Sequence, residues 1–180
     1  MISKKNLDER PPLTKSEAKI RKILLTDNNE KYFVCYDLIL VIRKISDKNN
    51  GEKHDFEGHL KLILTYYPKS EIKDGLFLNF IGEIHYLEIN SNKVENFNFQ
   101  NYRLNLDLSL LQLWENKIKI LYSRDYNHNG IGLNHYIDVS DNKEYLYTHF
   151  EPYECHRLFP CFDQPDIRAI LKLKVLAPKD

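Results

Sequence analysis

The feature that most constrains the fold of this chain is a series of short segments in which apolar and polar residues alternate. In "GHLKLILTYY" (58–67), Leu60 and Leu62 fall on the face opposite Lys61, the pattern of a half-buried strand. "LFLNF", "IHYLEI", "YRLNL", "KIKILY" and "RAILKLKV" have the same character, and the breaks between segments are rich in Asn, Gly, Asp and Pro. At least seven strands at this spacing predict a mainly antiparallel, sandwich-like β domain.

Two further segments refine this prediction. "YFVCYDLILVI" (32–42) is apolar on both faces apart from Asp37, which predicts an internal strand. "LSLLQLWEN" (108–116) predicts one helical turn between strands, anchored by Trp114.

One short helix is predicted before the strands. Thr14 precedes Glu17 by the spacing of a capping box, and apolar residues follow at helical intervals in "TKSEAKIRKILL". The charged segment before this helix ends in two prolines and resembles a loose arm. We therefore expect a flexible arm over residues 1–13 and a single domain over residues 14–180.

Composition excludes several classes of partner. The 180 residues carry 26 basic and 26 acidic side chains, so no net field exists to hold nucleic acid or an anionic membrane. No window approaches the roughly 20 apolar residues of a membrane helix. The cysteines Cys35, Cys155 and Cys161 are odd in number and no Asn-x-Ser/Thr acceptor occurs, which favours a reducing, cytoplasmic location.

The segment "YTHFEPYECHRLFPCFDQPD" (147–166) raises the question of metal or nucleophile chemistry. Cys155, His156 and Cys161 could be three zinc ligands, but their spacing fits no zinc ribbon. Aromatic and proline neighbours of Cys161 indicate a buried, inert thiol rather than a nucleophile. We expect neither a metal site nor a catalytic residue in this chain.

Other candidate metal motifs are also incomplete. His54 and His59 are five residues apart, whereas two zinc-binding histidines on one helix face need a spacing of four, so both are expected at the surface. "DYNHNGIGLNHY", from Asp125, begins like a calcium loop but has Tyr136 where that loop needs a bidentate glutamate. A hairpin loop is expected there instead.

The strand "YLYTHF" runs directly into Glu151-Pro152. A carboxylate at a strand end beside a proline points into whatever cleft the sheet borders. The alternative is a capping or salt-bridging glutamate, with Arg157 as its partner. The residue pattern alone favours the capping or salt-bridging glutamate.

The segment "YLYTHFEPYECHRLFPCFDQPDIRAILKLKVLAP" closely resembles part of the zinc aminopeptidases of the aminopeptidase N family. That family usually has Tyr-x-x-Thr-Gln-Phe-Glu-Pro, then Arg, then Phe-Pro-Cys-Phe-Asp-Glu-or-Gln-Pro and an outward strand. "FEGHLKLIL", "FLNFIGEIHYLEIN" and "YSRDYNHNGIGLNHYID" resemble upstream segments of the same family. Nearly the whole chain is covered.

The resemblance implies an all-β fold, an antiparallel, saddle-like β-sandwich with one short N-terminal helix, that packs against a thermolysin-like catalytic domain of the same enzyme. In such enzymes zinc is bound by His-Glu-x-x-His and a distant Glu, and a Gly-x-Met-x-Asn segment binds substrate. This sequence contains neither motif. It is therefore expected to be a non-catalytic N-terminal domain, inactive alone, with zinc in the parent metallopeptidase.

The resemblance also implies roles for individual residues. Glu151 matches the family glutamate that helps hold the free α-amino group of a peptide substrate. His149 replaces the family Gln, so an imidazole stands beside the substrate. Arg157, Asp163 and Pro152 are expected to build the structural corner, and the Glu151–Pro152 bond is expected to be cis.

The expected function is thus to contribute a substrate-binding glutamate and one wall of the active-site cleft to an enzyme that removes N-terminal amino acids from peptides. The alternative is a free-standing β-sandwich module that binds peptides or proteins without catalysis.

Overall fold

The protein is described by a computed structural model that covers residues 13–27, 31, 33–43, 54–73 and 75–179. Its elements confirm the all-β prediction, with one helix before eleven strands in the described ranges. The helix is α1 (Lys15–Leu25), and the strands are β1 (Val34–Ile42), β2 (Phe56–Tyr66), β3 (Phe77–Asn79), β4 (Glu83–Ile89), β5 (Asn92–Lys93), β6 (Phe99–Gln100), β7 (Arg103–Asn105), β8 (Trp114–Arg124), β9 (Gly132–Ile137), β10 (Glu144–His149) and β11 (Ile170–Leu176). The arm predicted over residues 1–13 lies outside the described residues, apart from its last one.

The strands form three sheets. The largest has the order β11-β1-β2-β8-β4-β5, a second pairs β10 with β9, and a third has the order β3-β7-β6. All described pairings are antiparallel except that of β1 with β11. Side chains of the six-stranded sheet, the three-stranded sheet, α1 and residues 158–167 form one continuous hydrophobic core.

Helix α1 begins where the sequence predicts. The backbone N–H of Glu17 donates to Thr14 Oγ1 at 3.2 Å, and the backbone N–H of Thr14 donates to Glu17 Oε2 at 2.8 Å. This reciprocal pair satisfies two of the N–H groups that a helix start leaves open. The face of α1 that meets the core buries Arg21, Leu24 and Leu25.

The central strands follow their predicted patterns. β1 lies inside the sheet, between β11 and β2, which confirms the prediction of an internal strand. β2 and β8 bury alternate residues over most of their length, because one face of each lies on the core.

Strand β11 departs from the burial that its alternation predicts. Leu171, Leu173 and Val175 share a register with core residues of β1, yet they remain 48 to 52% exposed. The residues between them, including Lys172, are exposed as well. Alternation identifies the strand, but no other described element covers either of its faces.

The predicted turn forms as a single 3₁₀ turn, Leu108–Leu110, but the predicted anchor is wrong. Trp114 is 60% exposed and does not anchor it. The anchor is Asn116, which is fully buried, accepts from the backbone N–H of Gln112 at 2.8 Å and donates to its carbonyl at 2.8 Å. A buried amide can satisfy both backbone groups of the bend, which an indole cannot.

The surface prediction holds for His59 but is wrong for His54. The His54 side chain is only 15% exposed and lies between two carboxylates, with Nε2 3.3 Å from Glu83 Oε2 and Nδ1 3.5 Å from Asp125 Oδ1. Both acids lie far from His54 in the sequence, so no local pattern could indicate this site.

The loop that resembles a calcium site is not a hairpin loop. It connects β8 to β9, which belong to different sheets. The backbone N–H of Asn127 donates to the carbonyl of Leu133 at 2.7 Å, and the N–H of His135 donates to the carbonyl of Asn127 at 3.0 Å. The loop thus folds back along β9.

Gly132 joins this loop to β9 at a point of close approach. Its φ is +74°, and a Cβ there would lie 2.5 Å from Asn127 Nδ2 and 2.7 Å from Arg157 Cβ. Gly130 also has a positive φ, +88°, but a Cβ there would meet nothing within 4 Å. The two glycines share a backbone conformation and differ in the space around them.

We predict that Gly132→Ala destabilises the chain more than Gly130→Ala. Gly130→Ala should cost about 1–2 kcal/mol because of its backbone conformation alone. Gly132→Ala should lower the free energy of unfolding by about 1–3 kcal/mol more, because the new methyl group overlaps Arg157. Urea denaturation of the two variants measures the difference, and equal losses would contradict the close approach.

Candidate functional site

The candidate site lies in a segment that we call the corner, residues 150–165, which follows β10. The chain turns at once after β10, because the backbone N–H of Glu154 donates to the carbonyl of Phe150 at 2.7 Å. The Glu151–Pro152 peptide bond is cis, as predicted. The hydrogen bond between Glu154 and Phe150 places Glu151 at the tip of a tight turn.

Glu151 is exposed, and no hydrogen bond or ion pair joins its carboxylate to another described residue. The predicted alternative, a salt bridge between Glu151 and Arg157, does not form. Arg157 Nε instead donates to Glu154 Oε2 at 2.6 Å, and both side chains are largely buried. Glu154 has the bracing role, which leaves the carboxylate of Glu151 available to a ligand.

His149 is the last residue of β10 and is also exposed. Its Nδ1 lies 3.0 Å from the carbonyl oxygen of Gly130. Because a carbonyl oxygen only accepts, Nδ1 carries the hydrogen, and Nε2 of the neutral ring is left as an acceptor. The imidazole is thus oriented by the loop before β9.

A second buried pair braces the corner from within. Asp163 Oδ2 accepts from His156 Nδ1 at 2.5 Å and from the backbone N–H of His156 at 3.3 Å. The two side chains are 8% and 2% exposed. Asp163 therefore faces the interior of the corner rather than the surface that carries Glu151.

The corner is held to the sandwich by backbone bonds. Asn79 of β3 and Cys161 form an antiparallel bridge, with N···O distances of 2.8 and 3.0 Å. The N–H of Ile81 donates to the carbonyl of His156 at 3.1 Å, and the N–H of Phe162 donates to the Tyr36 hydroxyl at 2.9 Å. These bonds satisfy backbone groups of the corner that are not part of any of the three sheets.

Arg21 is a supporting residue that the sequence analysis missed. Its side chain is fully buried, Nη2 donates to Asn79 Oδ1 at 2.6 Å, and the guanidinium lies 3.9 Å from the ring centroid of Phe77. A buried cation over an aromatic face is strongly attracted to it. The sequence did contain a signal that Arg21 is buried: its spacing from Leu24 and Leu25 puts all three residues on one face of α1.

The thiol of Cys161 is poorly suited to act as a nucleophile. Cys161 is buried, and burial raises the pKa of its thiol well above the ordinary value, with a side-chain hydrogen bond to Cys155 adding to the effect. A neutral thiol at physiological pH is a poor nucleophile and a poor metal ligand. Among the residues described, no group of three His, Cys, Asp or Glu side chains could hold a metal ion.

Exposed apolar side chains lie along β9 and β10 and in the turn that follows β10. The larger ones are Tyr136, Ile137, Tyr145, Leu146, Tyr147 and Tyr153. A cavity of about 600 Å³ is lined by Glu144 and Leu146, among other residues. It therefore lies toward the end of β10 remote from Glu151.

Comparison with known proteins identifies relatives of this fold. Aminopeptidase N of Streptomyces lividans is 36% identical over 64 residues, 36% of this chain and 8% of that protein. Aminopeptidase M1 of Arabidopsis thaliana is 32% identical over 75 residues, 42% of this chain and 7% of that protein. The chain thus matches less than a tenth of the length of these relatives.

Solved structures show the same fold. Legionella pneumophila aminopeptidase A, in complex with aspartic acid, superposes with a TM-score of 0.61 at 20% identity, over 80% of this chain and 16% of that one. An M1 zinc metallopeptidase from Deinococcus radiodurans superposes with a TM-score of 0.56 at 17% identity, over 82% of this chain and 32% of that one.

No helix among the described residues is long and apolar enough to cross a membrane. The family model of the peptidase M1 N-terminal domain matches residues 36–180, which is most of the chain. This match agrees with the fold and with the two aminopeptidase relatives, and the chain therefore belongs to the peptidase M1 N-terminal domain family.

Proposed function

We propose that this chain is the non-catalytic N-terminal domain of a cytoplasmic zinc aminopeptidase and supplies one wall of its active-site cleft. The observation that carries the proposal is Glu151, an exposed carboxylate without a partner among the described residues, at the tip of a well-braced turn in a domain of the M1 family. The described residues offer no ligand set for zinc, so hydrolysis is assigned to the remainder of the enzyme.

Glu151 is suited to bind the α-amino group of a peptide. That group has a pKa of about 8, and it is cationic for much of the time near neutral pH. A carboxylate that the cleft desolvates needs a cation beside it, and the interior of a peptide chain has none at this position. The cleft would therefore bind the free N-terminus of a peptide in preference to the interior of a peptide chain.

The rest of the corner supports this role. Acids within it are already paired: Glu154 with Arg157, and Asp163 with His156. They fix the backbone on the C-terminal side of Glu151 without competing for the ligand. His149, two residues before Glu151, would present Nε2 to the same cleft and replace the amide of the family's Gln.

The catalytic domain of the same enzyme is the proposed partner. Strands β10 and β11 are exposed along their whole length, although both carry large apolar side chains. Exposed apolar surface of this extent marks contact surfaces. Aminopeptidase relatives that are many times longer than this chain have additional sequence to cover such a surface.

The first test is to sequence the source gene past codon 180. A reading frame that continues into Gly-x-Met-x-Asn and His-Glu-x-x-His with a distant Glu is the expected result. A stop codon at that point would overturn the proposal and favour the free-standing binding module.

We predict that Glu151 is dispensable for stability and that Asp163 is not. Glu151→Ala should change the free energy of unfolding by less than about 0.5 kcal/mol, because the side chain is exposed and unpaired. Asp163→Ala should lower it by about 1–3 kcal/mol, because His156 loses its buried acceptor. Urea denaturation of both variants is the measurement, and a large loss in Glu151→Ala would indicate a structural role.

In the complete enzyme, Glu151→Ala should lower kcat/KM for substrates with a free α-amine by about tenfold to a thousandfold, the scale of removing one partner of a buried charge pair. Glu115→Ala is the matched control, since Glu115 is an exposed acid on β8 whose carboxylate lies 3.2 Å from Lys117 Nζ. Kinetics of Glu151→Ala within twofold of the unaltered enzyme would reject the role.

The isolated 180-residue chain should not bind leucine amide. Half of a cleft offers one carboxylate in water, where an ion pair contributes only about 0–1 kcal/mol. Isothermal titration calorimetry should show no heat of binding at millimolar ligand. Saturable binding that Glu151→Ala abolishes would instead support a free-standing module that recognises peptide N-termini.

A further inference from the structure

The cavity of about 600 Å³ that Glu144 and Leu146 line also includes His135 of β9. Leu146 pairs directly with His135 across the two-stranded sheet, and Glu144 lies two residues before Leu146. Because residues two apart on a strand share a face, all three lie on one face of this sheet. Ile42 and Pro178 add apolar lining. A cavity of this size, with apolar lining and a few polar groups, is typical of small-molecule sites.

His135 brings an unsatisfied nitrogen to the cavity. The residue is only 5% exposed, and its ring stacks on that of Tyr126 with centroids 5.6 Å apart. No hydrogen bond from the described residues reaches Nε2. Glu144 Oε2 lies 3.6 Å from Nε2, which is longer than a hydrogen bond. A buried nitrogen without a partner costs free energy, so a ligand that supplies the missing hydrogen bond is favoured here.

Three other polar side chains of the lining already have partners in the protein. Arg43 Nη2 lies 2.8 Å from Glu57 Oε1, and the Tyr126 hydroxyl donates to the carbonyl of Arg43 at 2.9 Å. The Tyr145 hydroxyl donates to Asp141 Oδ2 at 2.7 Å. These side chains shape the cavity, and their polar groups are engaged with the protein.

Lys143, Glu144 and His135 are the lining residues that remain open to a ligand. No hydrogen bond or ion pair joins the ammonium group of Lys143 to another described residue, so its three donors can bind a carboxylate. Glu144 Oε2 and the Nε2 of a His135 ring that carries its hydrogen on Nδ1 are two acceptors 3.6 Å apart. One ammonium group can donate to both. The cavity therefore offers a partner to each charge of a zwitterion.

We propose that this cavity is a binding site for a free α-amino acid with an apolar side chain. The α-ammonium group donates to Glu144 and His135, the α-carboxylate accepts from Lys143, and the apolar side chain lies against Leu146. A ligand that lacks either charge leaves a charged group of the cavity unpaired, which costs free energy where water is displaced. The site lies toward the end of β10 remote from Glu151, so it goes beyond the proposed function and does not depend on it.

The test is isothermal titration calorimetry of the native 180-residue chain with L-leucine and with two analogues that each lack one charge. Leucine amide lacks the carboxylate, and 4-methylpentanoate lacks the amine. We expect saturable binding of L-leucine and at least about tenfold weaker binding of each analogue, the scale of losing one hydrogen bond to a charged group. An analogue that binds as tightly as L-leucine would overturn the proposal, as would the absence of saturable L-leucine binding at millimolar concentration.

Variants locate the bound amino acid. Glu144→Gln and Lys143→Gln should each weaken L-leucine binding by at least about tenfold, and neither should prevent folding, because both residues are exposed. Glu151→Ala and Glu115→Gln should leave the affinity unchanged, since these acids lie outside the cavity lining. Binding that survives both cavity substitutions, or that Glu151→Ala abolishes, would place the ligand elsewhere and overturn the proposal.

Discussion

The corner that carries Glu151 depends on the backbone pairing of Asn79 with Cys161. Strand β10, which leads into the corner, is exposed at every residue, so burial alone gives it little support. The bridge holds the far side of the corner against β3, and Arg21 orients the Asn79 side chain from α1 with a 2.6 Å hydrogen bond. A helix at one end of the sequence thus helps to fix a turn near the other.

Of the acidic residues in the corner, two form ion pairs that support its fold and one is exposed to solvent. Glu154 and Asp163 each pair with a buried side chain, whereas Glu151 has no partner among the described residues. This division follows from position in the turn, which points neighbouring side chains in different directions. Glu154 faces Arg157, whereas Glu151 faces solvent. A ligand that approaches the corner meets a single carboxylate on a backbone whose position is already fixed.

Sequence patterns predicted the elements whose structure depends on residues close together in the sequence. The capping box of α1 and the alternation of β2 and β8 needed only near neighbours in the sequence. The burial of His54 depends on Glu83 and Asp125 from distant elements, which no spacing rule encodes. The role proposed for Glu151 rests on the family resemblance, because the contacts of Glu151 within the described residues do not by themselves indicate a ligand.

The exposed strand β11 has a consequence for the behaviour of the protein in solution. Its pairing with β1 uses one edge, and no described strand occupies the other. Such an edge presents a row of backbone donors and acceptors that a second molecule can extend into a larger sheet. Lys172 and Lys174, on one face of this strand, place like charges that oppose edge-to-edge growth. The colloidal stability of the separate chain therefore rests in part on two lysines.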